Sequence, residues 1–169
     1  MRFVVAFSST KRSTRTVEVA SRHAKAMGAE VVLVRIIPDP QKVGVVAQLI
    51  SSDRPIDKAR SQIDEVVARL KEQGIEASGI VQVGEVAPGI VKVAQELQAD
   101  LLFVGTTSVG GQSFFLMKKD PIVHYLVDHS PVSLCLVRHD PSDFDPEAAS
   151  ESELTSESRS TPEATSKSD

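Results

Sequence analysis

Five short apolar segments alternate along this chain with amphipathic segments of helical period. Most of the five are continuous apolar runs rich in β-branched residues, which is typical of strands buried on both faces of a parallel sheet. They are Phe3–Phe7, Val31–Ile37, Ala77–Val83, Leu101–Val104 and Ser133–Val137.

Four helices are predicted between these strands from apolar positions at helical spacing and from capping residues. Gly28 ends the first helix, and Asp120 with Pro121 opens the last one as N-cap and first-turn proline. The second helix is predicted over Asp57–Gln73, and residues 41–56 before it are predicted as a loop or a single helical turn. This alternation predicts an α/β fold with an open five-stranded parallel sheet in three layers.

The length of 169 residues accommodates one domain, predicted over residues 1–140, followed by a tail. The tail, residues 141–169, holds eight acidic and two basic residues, eight serines and three threonines. It is predicted to be disordered, because it has too few large apolar residues to offset the entropy of ordering the chain. The preceding part carries 17 bases and 15 acids. This near balance argues against a nucleic-acid partner.

A single cysteine, Cys135, excludes a disulfide framework and lies in an apolar strand, where an inert thiol is expected. No apolar run approaches the roughly 20 residues that span a bilayer, and no signal-peptide pattern is present. We therefore expect a cytoplasmic protein without a membrane partner.

Hydroxyl- and glycine-rich segments follow the first and fourth predicted strands. In a doubly wound sheet the ligand crevice lies where the winding reverses, so the two segments face each other if the first strand is central. Backbone N–H groups of glycine loops and helix N-termini bind phosphate, and lysines and arginines lie nearby. The candidate nucleotide-binding residues are Ser8, Ser9, Thr10, Gly105, Thr106, Gly110, Gly111 and Ser113, and the nearby cations are Lys11, Arg12, Lys118 and Lys119. Ordinary turns with solvated cations account for the same residues equally well.

The sequence contains no residue spacing that is typical of a catalytic or metal-binding motif. The four histidines, His23, His124, His129 and His139, show no metal-ligand spacing and are interpreted as structural. No nucleophile elbow, Walker loop or dinucleotide fingerprint occurs. We therefore expect a protein that is not an enzyme and has no metal or resident cofactor.

Several segments resemble those of the universal stress protein family. They are the first strand FVVAF with its polar loop, VGEVAPGIVKVA, ADLLFVGT and the closing HSPVSLCLV. The resemblance extends from residue 1 to about residue 138. It implies strand order 3-2-1-4-5 and frequent homodimers paired through the last strand, here Ser133–Val137. In one branch it also implies ATP bound by a Gly-x-x-Gly-(nine)-Gly-Ser/Thr loop.

This chain departs from that ATP-binding motif. Gly105 stands at the first glycine, but Ser108 stands at the second, and Ser8 stands where ATP-binding members have an acid. The closing Gly-Ser/Thr pair is replaced by Lys118-Lys119 when nine residues are counted, or by Asp120-Pro121 when the last helix is aligned. A carboxylate and a proline remove phosphate donors, so ATP binding is expected to be lost or weak.

Three functional hypotheses follow. The first is a non-enzymatic, dimeric regulatory protein of the universal stress type that acts through an unidentified protein partner. The second is an ATP- or AMP-binding regulator that uses a shifted glycine-rich loop, and the third is a nucleotide hydrolase or transferase of similar fold. Phe114–Met117, in the same loop, fits either a lid or a partner surface.

Overall fold

The computed structural model describes residues 1–39, 55–106 and 120–139, and these ranges contain five strands and four helices. The strands are β1 (Arg2–Ala6), β2 (Glu30–Ile37), β3 (Ala77–Val83), β4 (Leu101–Thr106) and β5 (Leu134–Arg138). The helices are α1 (Thr10–Met27), α2 (Pro55–Glu72), α3 (Val86–Glu96) and α4 (Pro121–His129).

All five strands form one parallel sheet in the order β3-β2-β1-β4-β5. The predicted α/β class and the strand order implied by the family resemblance are therefore confirmed. In the register of the central strand, Phe3 lies beside Val31 of β2 and Leu101 of β4. The chain first winds outward to β3 and then returns to the other side of β1, so the winding reverses between β1 and β4.

Two hydrophobic clusters cover the two faces of the sheet. One contains Phe3 and Phe103 with the apolar residues of α1 and α2, and the two phenyl centroids lie 5.4 Å apart. The other contains Val4 and Leu102 with the apolar residues of α3 and α4. Because side chains of a strand alternate between faces, the continuous apolar runs in the sequence supply both clusters at once.

The start of α2 differs from the predicted boundary. Residues 55 and 56 were assigned to a loop or a single turn, whereas the structure has them as the first residues of α2. Proline is compatible with the first helical position because its missing N–H has no partner in the helix there. The rest of that predicted loop, residues 41–54, lies outside the described residues.

The described residues lie within one compact unit, Met1–His139. The predicted disorder of residues 141–169 concerns a part of the chain outside the described residues and stays a prediction. Across the described ranges, no helix is both long and apolar enough to pass through a bilayer.

Packing between β3 and α2 leaves no room for a side chain at Gly79. A Cβ atom added there runs into the Cγ2 atom of Ile63, a residue that is 1% exposed. We expect Gly79→Ala to lower the free energy of unfolding by about 1–3 kcal/mol because of this overpacking, measured by urea denaturation. Gly84→Ala is the matched control, since nothing lies within 4 Å of its added Cβ. Equal effects of the two substitutions would contradict this packing.

Candidate functional site

The carboxyl ends of β1 and β4 form the crevice expected at a reversal of winding. The two strands are paired, with Val5 opposite Phe103, so their ends lie side by side. The chain leaves β1 through Phe7, whose N–H donates to the Val34 carbonyl at 2.8 Å. The predicted site residues that the structure describes, Ser8, Ser9, Thr10, Gly105 and Thr106, therefore lie at the same edge of the sheet.

Serine hydroxyl groups after β1 form hydrogen bonds within the chain. Ser9 is the N-cap of α1, and its Oγ accepts a hydrogen bond from the Arg12 N–H at 3.3 Å. The Ser8 N–H donates to Oγ of the buried Ser13 at 2.9 Å. This arrangement shapes the turn into α1 and uses one backbone donor that a phosphate ligand would otherwise meet.

The polar segment that follows the first strand already contains the start of a helix. Ser8 and Ser9 lie between β1 and α1, which starts at Thr10. The early start is possible because Ser9 supplies the cap one residue before, as a serine in extended conformation commonly does. The Thr10 carbonyl accepts a hydrogen bond from the Thr14 hydroxyl at 2.7 Å, so Thr10 belongs to the first helical turn.

Gly105 and Thr106 belong to β4, whereas the sequence pattern ended the strand at Val104. Both pair with β5: Gly105 lies opposite Val137, and Thr106 opposite Arg138. The Thr106 carbonyl accepts a hydrogen bond from the His139 N–H at 2.8 Å. The neighbouring strand extends the ladder past the point where the apolar run stops, because backbone pairing does not require apolar side chains.

A buried polar pair lies against Gly105. Thr16 of α1 and His139, which follows β5, are 1% and 3% exposed, and their Oγ1 and Nε2 atoms are 2.8 Å apart in a hydrogen bond. A Cβ atom added to Gly105 would lie 2.5 Å from Thr16 Oγ1 and 2.6 Å from His139 Nε2. The absence of a side chain at this glycine is therefore required by the packing of α1 and β5 on β4.

This pair was not singled out from the sequence. The sequence pattern predicts a structural role for His139, as for the other histidines, and indicates no role for Thr16. The available signal was weak: Thr16 precedes Ala20 by four residues and so lies on the buried face of the helix. The two residues are 123 positions apart, and local patterns do not report contacts across such a distance.

The N-terminus of α4 has the predicted capping arrangement. The Asp120 Oδ1 atom accepts hydrogen bonds from the N–H groups of Ile122 at 3.0 Å and Val123 at 3.3 Å. Pro121, the first residue of the helix, has no N–H group. The first turn of α4 therefore presents no unused backbone donor, and a carboxylate already stands at the positive end of the helix dipole.

Part of the predicted site lies outside the described residues. This part includes Gly110, Gly111 and Ser113 and, with them, the lid-or-interface segment Phe114–Met117. The assignment of nucleotide contacts to these positions stays a prediction.

Other titratable groups do not form a second chemical site in the described chain. Burial raises the pKa of the Cys135 thiol above its ordinary value, although the residue is half-buried and not part of the deep core. His124 pairs with Asp128 on the surface of α4, at 3.0 Å. Within the ranges that the structure covers, no group of three or more His, Cys, Asp or Glu residues is placed to hold a metal ion.

The five-stranded parallel sheet and its reversal of winding between β1 and β4 place the chain in the class of open, doubly wound α/β proteins. The family model described as "Universal stress protein family" matches residues 1–138, and the chain belongs to that family. A search of curated proteins finds no match to the sequence.

Solved structures of universal stress proteins share the fold. One from Archaeoglobus fulgidus, in complex with dAMP, has 18% identity and a TM-score of 0.62, with 82% of this chain and 98% of that chain covered. One in complex with cAMP has 22% identity and a TM-score of 0.60, with coverages of 82% and 96%. A family member from Arabidopsis thaliana with AMP bound has 13% identity and a TM-score of 0.60, with coverages of 86% and 97%.

A double-mutant cycle tests the contact between Gly105 and the buried Thr16–His139 pair. We expect Gly105→Ala to lower the free energy of unfolding by about 1–3 kcal/mol. Its cost should be smaller in a Thr16→Ala background, because one of the two overlapping atoms is then gone, with a coupling of about 0.5 kcal/mol or more by urea denaturation.

Ser13→Ala provides the control for this cycle. Ser13 is also a buried hydroxyl of α1, but it bonds to Ser8 and is not among the atoms nearest the added Cβ. Its cost should simply add to that of Gly105→Ala. Coupling of the same size with Ser13→Ala would contradict the assigned contact.

Proposed function

We propose that this protein is a non-enzymatic regulator that acts as a homodimer through contacts with a partner protein and does not depend on ATP. The observation that carries the proposal is the capped N-terminus of α4, where Asp120 accepts from two backbone N–H groups. That helix end lies after the loop in which ATP-binding members of the family hold phosphate.

Electrostatics at this helix end disfavour a phosphate. Two unit negative charges about 4 Å apart repel by roughly 4 kcal/mol at an effective dielectric constant of 20. A hydrogen bond to a charged group contributes about 1.5–3 kcal/mol, and the donors at Ile122 and Val123 are already used by Asp120. A phosphate would have to displace the carboxylate, and Pro121 supplies no replacement donor.

The retained glycine of the motif does not by itself argue for a ligand. Gly105 is required by the Thr16–His139 pair, whose atoms a side chain at this position would overlap. Its presence is therefore accounted for by packing within the domain. The same holds for Ser9, whose hydroxyl caps α1.

The edge strand β5 supports the proposed dimer. Leu102 N–H donates to the Ser133 carbonyl, and His139 N–H donates to the Thr106 carbonyl. Since successive residues of a strand direct their backbone groups to opposite sides, Leu136 directs its own away from β4. No strand of the described chain pairs with β5 on that side, so a second copy could extend the sheet there.

A nucleotide-binding regulator is the second candidate. It is favoured by the solved family members whose structures contain dAMP, cAMP or AMP. In this candidate Gly110, Gly111 and Ser113 hold phosphate in a shifted geometry together with Lys118 and Lys119. A nucleotide hydrolase or transferase ranks third, because its one candidate general base near the loop is Asp120, which serves as a helix cap.

Nucleotide binding separates these candidates. We expect no adenine nucleotide to be released when the purified protein is denatured, and calorimetry with ATP and magnesium to show at most weak binding. Asp120→Asn keeps a capping side chain but removes the charge, so ATP affinity should rise by about tenfold, or about 1.4 kcal/mol. Asp128→Asn, on the same helix, makes the same change in net charge and should leave the affinity unchanged.

The opposite results would change the assignment. Co-purified nucleotide or micromolar ATP binding by the unaltered protein would favour the second candidate. Steady phosphate release that disappears in Asp120→Asn would favour the enzyme.

The dimer is tested at its proposed edge. We expect the protein to sediment as a dimer at low micromolar concentration, and Leu136→Asp to raise the dissociation constant by about tenfold or more, because like charges would meet across the interface. Val83→Asp is the matched control on β3, the opposite edge strand, since Val83 and Leu136 are 47% and 44% exposed. A monomeric unaltered protein, or equal effects of the two substitutions, would contradict pairing through β5.

A further inference from the structure

The positive charge of the described helices is concentrated on α1. This helix contains five basic residues and one acidic residue. By contrast, α2 contains four of each sign, α3 has one of each, and α4 has a single acid. The near neutrality of the domain as a whole therefore hides one strongly cationic helix.

The basic residues of α1 are aligned along its exposed side. Lys11, Arg15, Arg22 and Lys25 follow one another at intervals of four, seven and three residues, and all are exposed. These intervals place them on one face of a helix, since 3.6 residues make a turn. We call these four residues the α1 stripe. It extends about 21 Å along the helix.

Three members of the stripe have no ionic partner. Among the residues that the structure describes, Arg15, Arg22 and Lys25 take part in no ion pair. Glu18 lies within the stripe but is not paired with either neighbouring arginine. Their charges are thus available to a molecule that approaches this face.

Helix stability accounts for only part of this arrangement: Lys25 in the last turn complements the helix dipole, whereas the basic residues of the first turn do not. The first turn contains Lys11 and Arg12 and no acidic residue, although the helix dipole favours negative charge there. Lys11 and Arg15 form an (i, i+4) pair of like charge, and such pairs destabilise a helix. Residues that oppose local stability in this way point to a role outside the helix.

From these observations we infer that the α1 stripe is the docking surface for an acidic segment of a partner protein. The inference rests on the proposed function in that the protein acts through partner contacts, and it names the surface and the chemistry of the partner. Glu18 divides the stripe, so Arg15 and Arg22 lie about 10 Å apart along the axis. The fitting partner carries acidic groups at both positions and none between them.

The width of the surface favours a protein segment over nucleic acid. One helix is about 10–12 Å in diameter, which matches a single acidic peptide or helix. The neighbouring α2 packs on the same face of the sheet and contains four acidic and four basic residues. A broad phosphate backbone that covered both helices would therefore gain no net attraction from α2.

The test uses the full chain and a fluorescein-labelled peptide of about 16 residues that repeats Glu-Ser-Ser, which in an extended conformation spaces its carboxylates by about 10 Å and is long enough to follow the stripe. Fluorescence anisotropy should show saturable binding that weakens as salt is raised from about 50 to about 200 mM. The double substitution Arg15→Glu with Arg22→Glu should lower the affinity by about tenfold or more, because each charge reversal adds repulsion.

The matched control is Arg60→Glu with Arg69→Glu on α2. These two arginines are also exposed, and the control variant has the same net charge as the stripe variant. Its affinity for the peptide should change by less than about twofold, as expected for charges outside the contact. Circular dichroism and sedimentation should be the same for both variants, since all four arginines are exposed and none lies on β5.

Four outcomes would overturn the inference. They are no peptide binding up to about 1 mM, equal losses in the stripe and control variants, equal binding of a peptide with Gln in place of Glu, and tighter stripe-dependent binding of a duplex DNA oligonucleotide. Failure here is distinguishable from failure of the proposed function, because nucleotide binding and dimerisation are measured without the peptide. The stripe variant leaves both Asp120 and β5 unchanged.

Discussion

The structure depends on covering both faces of β1 and β4, the two strands at the centre of the winding. Val4 and Val5 are fully buried on opposite faces, and Leu102 and Phe103 occupy the equivalent positions of β4. A strand buried on both sides needs helices above and below it, which is why the chain must cross over between strands. That crossover path in turn places the ends of β1 and β4 next to each other.

Among the described residues, the polar groups at this crevice form hydrogen bonds within the domain. Ser9 and Asp120 cap the helices that begin near it, and Ser13 holds the turn after β1. The Thr16–His139 pair fills the space that Gly105 leaves. Polar groups that could serve a ligand in this architecture are used here to satisfy helix ends and to hold β5 on the sheet. Members of the universal stress protein family thus share the fold, while the individual contacts at the crevice decide whether a ligand binds there.

The two surfaces proposed for interactions lie on separate elements of the domain, β5 and α1. The open edge of β5 offers backbone groups and the exposed Leu136, which suit pairing with another strand. The exposed side of α1 offers positive charge, which suits a complementary acidic surface. Because these are different elements, the proposed dimer and the proposed docking of an acidic segment use different residues.

The sequence by itself determined the α/β class, the approximate position of each strand and the cap of the last helix. These features depend on local periodicity and on neighbouring residues such as Asp120 and Pro121, which a linear pattern records directly. The family resemblance added the strand order. Only the tertiary structure showed that β4 continues through Gly105 and Thr106, since its length is set by pairing with β5.

The tertiary structure also showed why position 105 has to be a glycine. From the sequence alone, Gly105 fits a phosphate-binding loop or a simple turn, and neither interpretation involves Thr16 or His139. Folding brings those two side chains, 123 residues apart, to 2.8 Å from each other beside that glycine. Contacts of this kind depend on how distant segments approach in space, and the identity of neighbouring residues in the sequence carries no direct record of them.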